Sequence, residues 1–225
     1  MACGNVSTPP QFHYAGDRTG TPARGGETDI EQDIGNIHDF WFGELDSQGL
    51  SPPDRQRLWF GGLTETDALC RQRFGSLCEC ALGGGLQHWE DSDAGLVALL
   101  LLLDQFPRNI HRGSPRAFAG DARARALSRE WVEHGHYQRL PAIHQVFLYM
   151  PLEHSEDLDD QDTCVALFAQ LAATTGSDQV ASFSRYAAAH REVIARFGRF
   201  PHRNALLGRE SSAGELAWLD AHGGF

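Results

Sequence analysis

The sequence predicts an all-α protein, a single domain of about nine helices with short connections and antiparallel neighbours. Three observations carry that expectation. Apolar residues recur at three- and four-residue steps from Ile30 onward. Capping residues and glycines punctuate those stretches at both ends. No segment alternates apolar and polar residues with the period of a strand.

The elements follow in order. Residues 1–26, rich in Gly, Pro, Thr and Arg, form no apolar period and are expected to be a flexible arm ahead of an all-α domain over 27–225. Ile30, Ile34, Ile37, Phe40 and Trp41 trace a first helix, with Thr28 as its cap, Glu31 as the box partner and Gly43 as its stop. Pro52-Pro53-Asp54 opens a short helix through Trp59. Thr64 or Thr66 caps the next, which carries Ala68, Leu69, Phe74, Leu77 and Ala81 and ends at Gly83-Gly84-Gly85.

Leu96 to Leu103 is apolar without a break, so this helix is buried on every face and stands at the centre of the core. It is far shorter than the roughly 20 residues of a membrane span. Pro107, lacking an amide proton, is expected to end it. Ser114-Pro115 opens another helix, and two more are expected over about Pro141–Tyr149 and Asp160–Ala173. A long helix from Ser177 to Phe197 aligns Phe183, Tyr186, His190, Ile194 and Phe197, and Ser211 or Ser212 caps a last helix with Glu215 as box partner.

Composition excludes several functions. A formal net charge of −11 disfavours nucleic acid and anionic membranes as partners. Every basic residue is arginine, which removes Schiff-base lysines, pyridoxal phosphate attachment and the phosphate-loop lysine. Five irregularly spaced cysteines read as reduced thiols. With no apolar signal segment at the N-terminus, a soluble cytoplasmic protein is expected. Gly83 to Gly85 follow a helix, so they are no dinucleotide fingerprint.

Polar chemistry concentrates in three segments at helix ends. The first holds Asp104, Gln105, Arg108 and Asn109. The second runs from Tyr149 through Glu153, His154 and Ser155 to Asp157. The third joins His190-Arg191 to Arg199 and to His202-Arg203-Asn204. Arginine forks clamp carboxylates and phosphates, and histidines beside carboxylates move protons near neutral pH. Asn and Arg at helix ends also serve as ordinary caps and ion pairs, and a histidine on an apolar face is often only hydrogen-bonded. The joint density favours a pocket. Phe106-Pro-Arg-Asn109 and Phe200-Pro-His-Arg-Asn204 echo one another.

The motifs Asp39-Phe-Trp-Phe-Gly43, Trp59-Phe-Gly-Gly62, Leu103-Asp-Gln-Phe-Pro-Arg-Asn109, Phe147 to Asp157 and Phe197 to Asn204 closely resemble the bacterial domain-of-unknown-function family 924. The resemblance spans about Ile30 to Leu219. It implies an all-helical fold similar to tetratricopeptide-like helix pairs and no particular activity. His38 and His111 stand where the family usually has an apolar and an aromatic residue, and the long Gly/Pro-rich N-terminus is a further departure.

The functional expectation is an enzyme without cofactor, acting on a small anionic metabolite by acid–base chemistry: elimination, intramolecular cyclisation or hydrolysis. His154, His202, Glu153, Asp104 and His190 are the candidate catalytic residues. Arg108, Asn109, Arg203, Asn204, Gln105 and Tyr149 are the candidate substrate contacts, with Arg108 and Arg203 holding the anion. No metal is expected, although Glu153, His154, His190 and His202 form one grouping to test. The alternatives are a tetratricopeptide-like interaction module and a metal-dependent enzyme. A partner protein or second copy of the chain stays open.

Overall fold

A computed structural model describes residues 25–224. The expected arm lies outside them, except for its last two residues, which begin the first helix. Helix α1 spans Gly25–Trp41, α2 Arg55–Phe60 and α3 Thr64–Leu82; α4 is Asp93–Leu100 and α5 Phe106–Ile110. Then follow α6 Asp121–Glu133, α7 Ala142–Glu153, α8 Leu158–Thr175, α9 Asp178–Phe197 and α10 Ala213–His222. Because α4, the turn over Leu101–Gln105 and α5 form one unbroken rod, the described residues form nine α-helices and no strand.

That rod is the core's axis. Ser92 accepts the Gly95 amide and caps its start. Gly95 is required there, since a Cβ would lie 2.3 Å from the Trp89 carbonyl oxygen. Every residue from Leu96 to Leu103 is buried, each worth about 1.5–3 kcal/mol on a large apolar side chain. Aromatic rings from three other helices close around it. Trp41 packs edge-on against Phe106 and Phe147, Trp59 packs on Phe147, and the Trp59 indole donates to the Trp41 carbonyl at 2.9 Å.

Pro107 does not end the rod. Leu101–Gln105 is a π-turn, in which the Phe106 amide reaches back five residues to the Leu101 carbonyl. The wider turn takes up the proline, and the local carbonyls find other uses. Leu102 O accepts from Cys78 Sγ at 3.4 Å, and Asp104 O accepts from Arg108 at 2.6 Å. The Leu103 carbonyl, which a proline at 107 cannot claim, lies against Gly120, where a Cβ would sit 2.1 Å from its oxygen. The sequence therefore places Asp104 to Asn109 inside a helix rather than past its end.

Other boundaries shift for local reasons. Helix α1 starts at Gly25, so Thr28 is within it and not its cap. Leu63 occupies the cap position of α3 without a side-chain bond, and Thr66 is buried instead. Ser114 caps only a short 3₁₀ turn, Pro115–Phe118. Helix α7 runs four residues beyond Tyr149, through Pro151 to Glu153. The Ser177 cap of α9 and the Ser212–Glu215 capping box of α10 form as expected. Cys70, Cys78, Cys80 and Cys164 are free thiols. No helix among the described residues is long and apolar enough to cross a membrane.

Candidate functional site

The three polar segments meet. The end of the central rod (Gln105, Arg108, Asn109), the end of α7 (Glu153, His154), the middle of α9 (His190) and the turn Pro201–Arg203 line one cavity of ≈ 750 Å³. Asp104 lies behind its wall. It is buried, and its carboxylate takes His154 Nδ1 at 2.8 and 3.0 Å and the Gln105 amide at 2.5 Å, with Arg108 at 3.2 Å. Burial alone would raise this carboxyl. The Arg108 charge and the His154 contact reverse that and hold it below the usual carboxylate range.

The bond to Asp104 assigns the His154 tautomer. Nδ1 carries the proton and Nε2 is left as the basic nitrogen. Burial, then the Arg108 charge, lower the His154 pKa against the pull of Asp104, so the ring is neutral near pH 7. Glu153 is the opposite case. Burial and the neighbouring Asp104 charge push its carboxyl up to about 8, so it is protonated at neutral pH. One of its oxygens, Oε1, lies 3.3 Å from His190 Nδ1; the other, Oε2, is buried without a hydrogen-bond partner. A neutral base and a protonated acid therefore share one wall.

His190 gives its Nδ1 proton to the Tyr186 carbonyl at 2.9 Å, and burial lowers it to about 3. Burial and the Arg203 charge lower His202 to about 4. Both are neutral rings at physiological pH.

The two arginines differ. Arg108 is held by both oxygens of Asp121, at 2.9 and 3.1 Å, by Asp104 and by the Asp104 carbonyl. Arg203 reaches Asp121 only at 3.5 Å, and its guanidinium lies between the rings of Phe118 and Phe200, 4.8 and 4.5 Å from their centroids. Its Nε is buried with no hydrogen-bond partner. Burial and the nearby Arg108 charge lower it to about 10, which still leaves it charged.

Asn109 lines the cavity and donates to Cys70 Sγ at 3.5 Å, which ties the rod to α3. Two expected substrate contacts fall elsewhere. Tyr149 donates to Gln145 at 2.8 Å and faces a separate small hollow beside Tyr137 and Leu171, because helical side chains lean toward the N-terminus and cover the preceding turn. Asn204 is buried against the last helix, donating to Ser211 at 3.0 Å and to Glu215 at 3.3 Å. Both are scaffold.

The rest of the second segment is also structural. Ser155 donates to Asp160 at 2.6 Å, Asp160 pairs with Arg125 and Arg129, and Glu156 accepts the Phe200 amide at 2.8 Å while pairing with Arg209. These bonds fix the turn that presents His154. Among the described residues, no group of three His, Cys, Asp or Glu side chains is placed to hold a metal ion, the grouping of Glu153, His154, His190 and His202 included.

Sequence reading missed Asp121, which joins the two arginines, and the apolar side of the cavity: Trp59 and Phe60 from α2, Phe118, Met150, and Phe183 from α9. Tyr186, aligned with Phe183 and His190 in the sequence, stands 59% exposed on the cavity's rim. Asp121 offered only the signal of an acidic residue in a helix's first turn, which helix electrostatics explains equally well.

No curated protein sequence matches the chain. A solved structure, that of the protein of unknown function ATU0120 from Agrobacterium tumefaciens, is similar over 86% of this chain and 99% of its own, at 33% identity and a TM-score of 0.71. The family model described as bacterial protein of unknown function (DUF924) matches residues 37–223, which include all three polar segments, and the chain belongs to that family.

Proposed function

We propose that the cavity binds a small organic anion and that the chain performs acid–base chemistry on it with its own side chains. The observation that carries this reading is the Asp104-held His154 on the wall of a cavity that also contains protonated Glu153 and the loosely paired Arg203. Asp104 fixes the tautomer and steadies the imidazolium that forms when Nε2 takes a proton. Glu153 gives a proton to the departing or developing oxygen. Arg203, and to a lesser degree Arg108, neutralise the anion. An elimination, an internal cyclisation or a hydrolysis uses this set.

The test pairs binding with turnover. A bacterial metabolite extract incubated with the wild-type protein should lose or gain a specific acid by mass spectrometry, and His154→Gln should stop that change while still being stabilised by the same acid in thermal denaturation. Asp104→Asn should lower the rate as well, since the wrong tautomer becomes accessible. If no acid stabilises the wild-type protein and no component of the extract changes, the reading fails. Stabilisation by a partner protein instead would move the chain to the interaction-module class.

A further inference from the structure

The cavity is two-sided, and the two sides differ in chemistry. Helix α9 runs from one to the other. Phe183 and Tyr186 line the cavity ahead of His190, which puts Phe183 about 10 Å from His190 along the axis at 1.5 Å per residue. Phe60 packs on Phe183 at 5.7 Å between centroids and is 57% exposed, like Tyr186 at the rim. Phe60, Phe183 and Tyr186 thus make one apolar edge continuous with the cavity, and exposed apolar surface continuous with a cavity is what ligand-binding grooves present. At the far side stand His154, Glu153 and Arg203.

Charge narrows the ligand further. The ionised groups at the polar side are Arg108 and Arg203 against Asp104 and Asp121, with the histidines neutral and Glu153 protonated. Arg112, at the margin, is paired with Asp67. The site is close to neutral as it stands. One added carboxylate can use the under-satisfied Arg203, whereas a second or third negative charge would meet Asp104 and Asp121 with no spare cation.

We propose that the ligand is an organic monocarboxylate with an apolar body, its carboxylate against Arg203 and its body against Phe183, Phe60 and Tyr186. This names the substrate class of the site described above and rests on that reading. The cavity volume falls within the range of sites that enclose molecules of this size. The apolar body seats the ligand against the rings and leaves the carboxylate end to be placed against Arg203, the acid and the base.

Thermal denaturation with four probes tests it: 4-phenylbutyrate, acetate, citrate and the uncharged 4-phenylbutanol. The expected result is stabilisation by 4-phenylbutyrate and a far smaller response to the other three at equal concentration. Phe60→Ala and Tyr186→Ala, at half-exposed positions where folding is safe, should each weaken 4-phenylbutyrate binding about tenfold through lost apolar contact. Tyr186→Phe should keep it. Stabilisation by citrate but not by 4-phenylbutyrate overturns the substrate class and leaves the anion-binding enzyme standing. Equal stabilisation by the alcohol removes the carboxylate from Arg203 and overturns the substrate class, as does no stabilisation by any probe; the acid–base reading then stands or falls on the metabolite extract. Unchanged binding in both alanine variants removes the apolar body from these rings.

Discussion

The segments Phe106-Pro-Arg-Asn109 and Phe200-Pro-His-Arg-Asn204 carry nearly the same residues and do different work. In the first, the proline sits inside a helix and the arginine is locked by Asp121, by Asp104 and by a backbone carbonyl. In the second, the proline starts a 3₁₀ turn, and the arginine is packed between two rings with one long contact to Asp121. The asparagines part in the same way. Asn109 stays on the cavity wall, and Asn204 braces the capping box of α10. Residue type sets what a side chain can do. The number of partners it already has sets whether it is available to a ligand.

The largest effect expected from that difference is on stability. Arg108→Ala leaves Asp104 and Asp121 without their main cation in a buried setting, and should lower the unfolding free energy by about 3–5 kcal/mol in denaturant titrations. Arg203→Ala should cost less, because its ion contact is long, at 3.5 Å, and its buried Nε already lacks a partner, so less pairing is lost with the packing. Equal losses would erase the distinction between the two segments.

Next in size is a pH dependence. Glu153, raised from 4.5 to about 8 in the fold, holds a proton that the unfolded chain releases near its ordinary value. The stability it lends is complete below about pH 4.5 and is lost as the pH rises through about 8. His190 and His144, lowered to about 3, and His202, lowered to about 4, act in the opposite sense. The unfolded chain takes up their protons below about pH 6.5, so their loss comes as the pH falls. Between about 6.5 and 8 the decline therefore belongs to Glu153, and Glu153→Gln should flatten it. A decline of the same slope in that variant would mean the acid is ionised at neutral pH.

Asn204→Ala should have the smallest consequence, about 1 kcal/mol from lost hydrogen bonds to Ser211 and Glu215, with anion binding unchanged. An altered anion response would return Asn204 to the ligand-binding group.

Much of this was legible in the sequence. Periodicity and caps located the helices, because a buried stripe and an orphaned helix end each demand particular residues locally. The convergence of Gln105, Arg108, Asn109, Glu153, His154, His190, His202 and Arg203 on one cavity followed from the density of polar groups at successive helix ends. What escaped depended on contacts between distant positions. Asp121 reaches Arg203 across 82 residues of sequence, and nothing local marks it. Pro107 misled because a proline is a helix stop only when the carbonyl four residues back has no alternative; here Gly120 makes room beside Leu103. Tyr149 lies one turn from Glu153 on the same helix, but its side chain leans back to Gln145 and away from the cavity.

Whether Arg203 is the cation that meets the ligand can be read from a ligand-linked stability series. The unfolding free energy of the wild-type protein, Arg203→Lys and Arg203→Ala is followed as 4-phenylbutyrate is added. The wild-type protein should gain about 2.7 kcal/mol at a hundredfold excess over the dissociation constant. Arg203→Lys should gain part of that, since an ammonium lacks the planar fork, and folded Arg203→Ala should gain little, with only the apolar contacts left. If Arg203→Ala responded as fully as the wild type, Arg203 would not be the cation that holds the carboxylate.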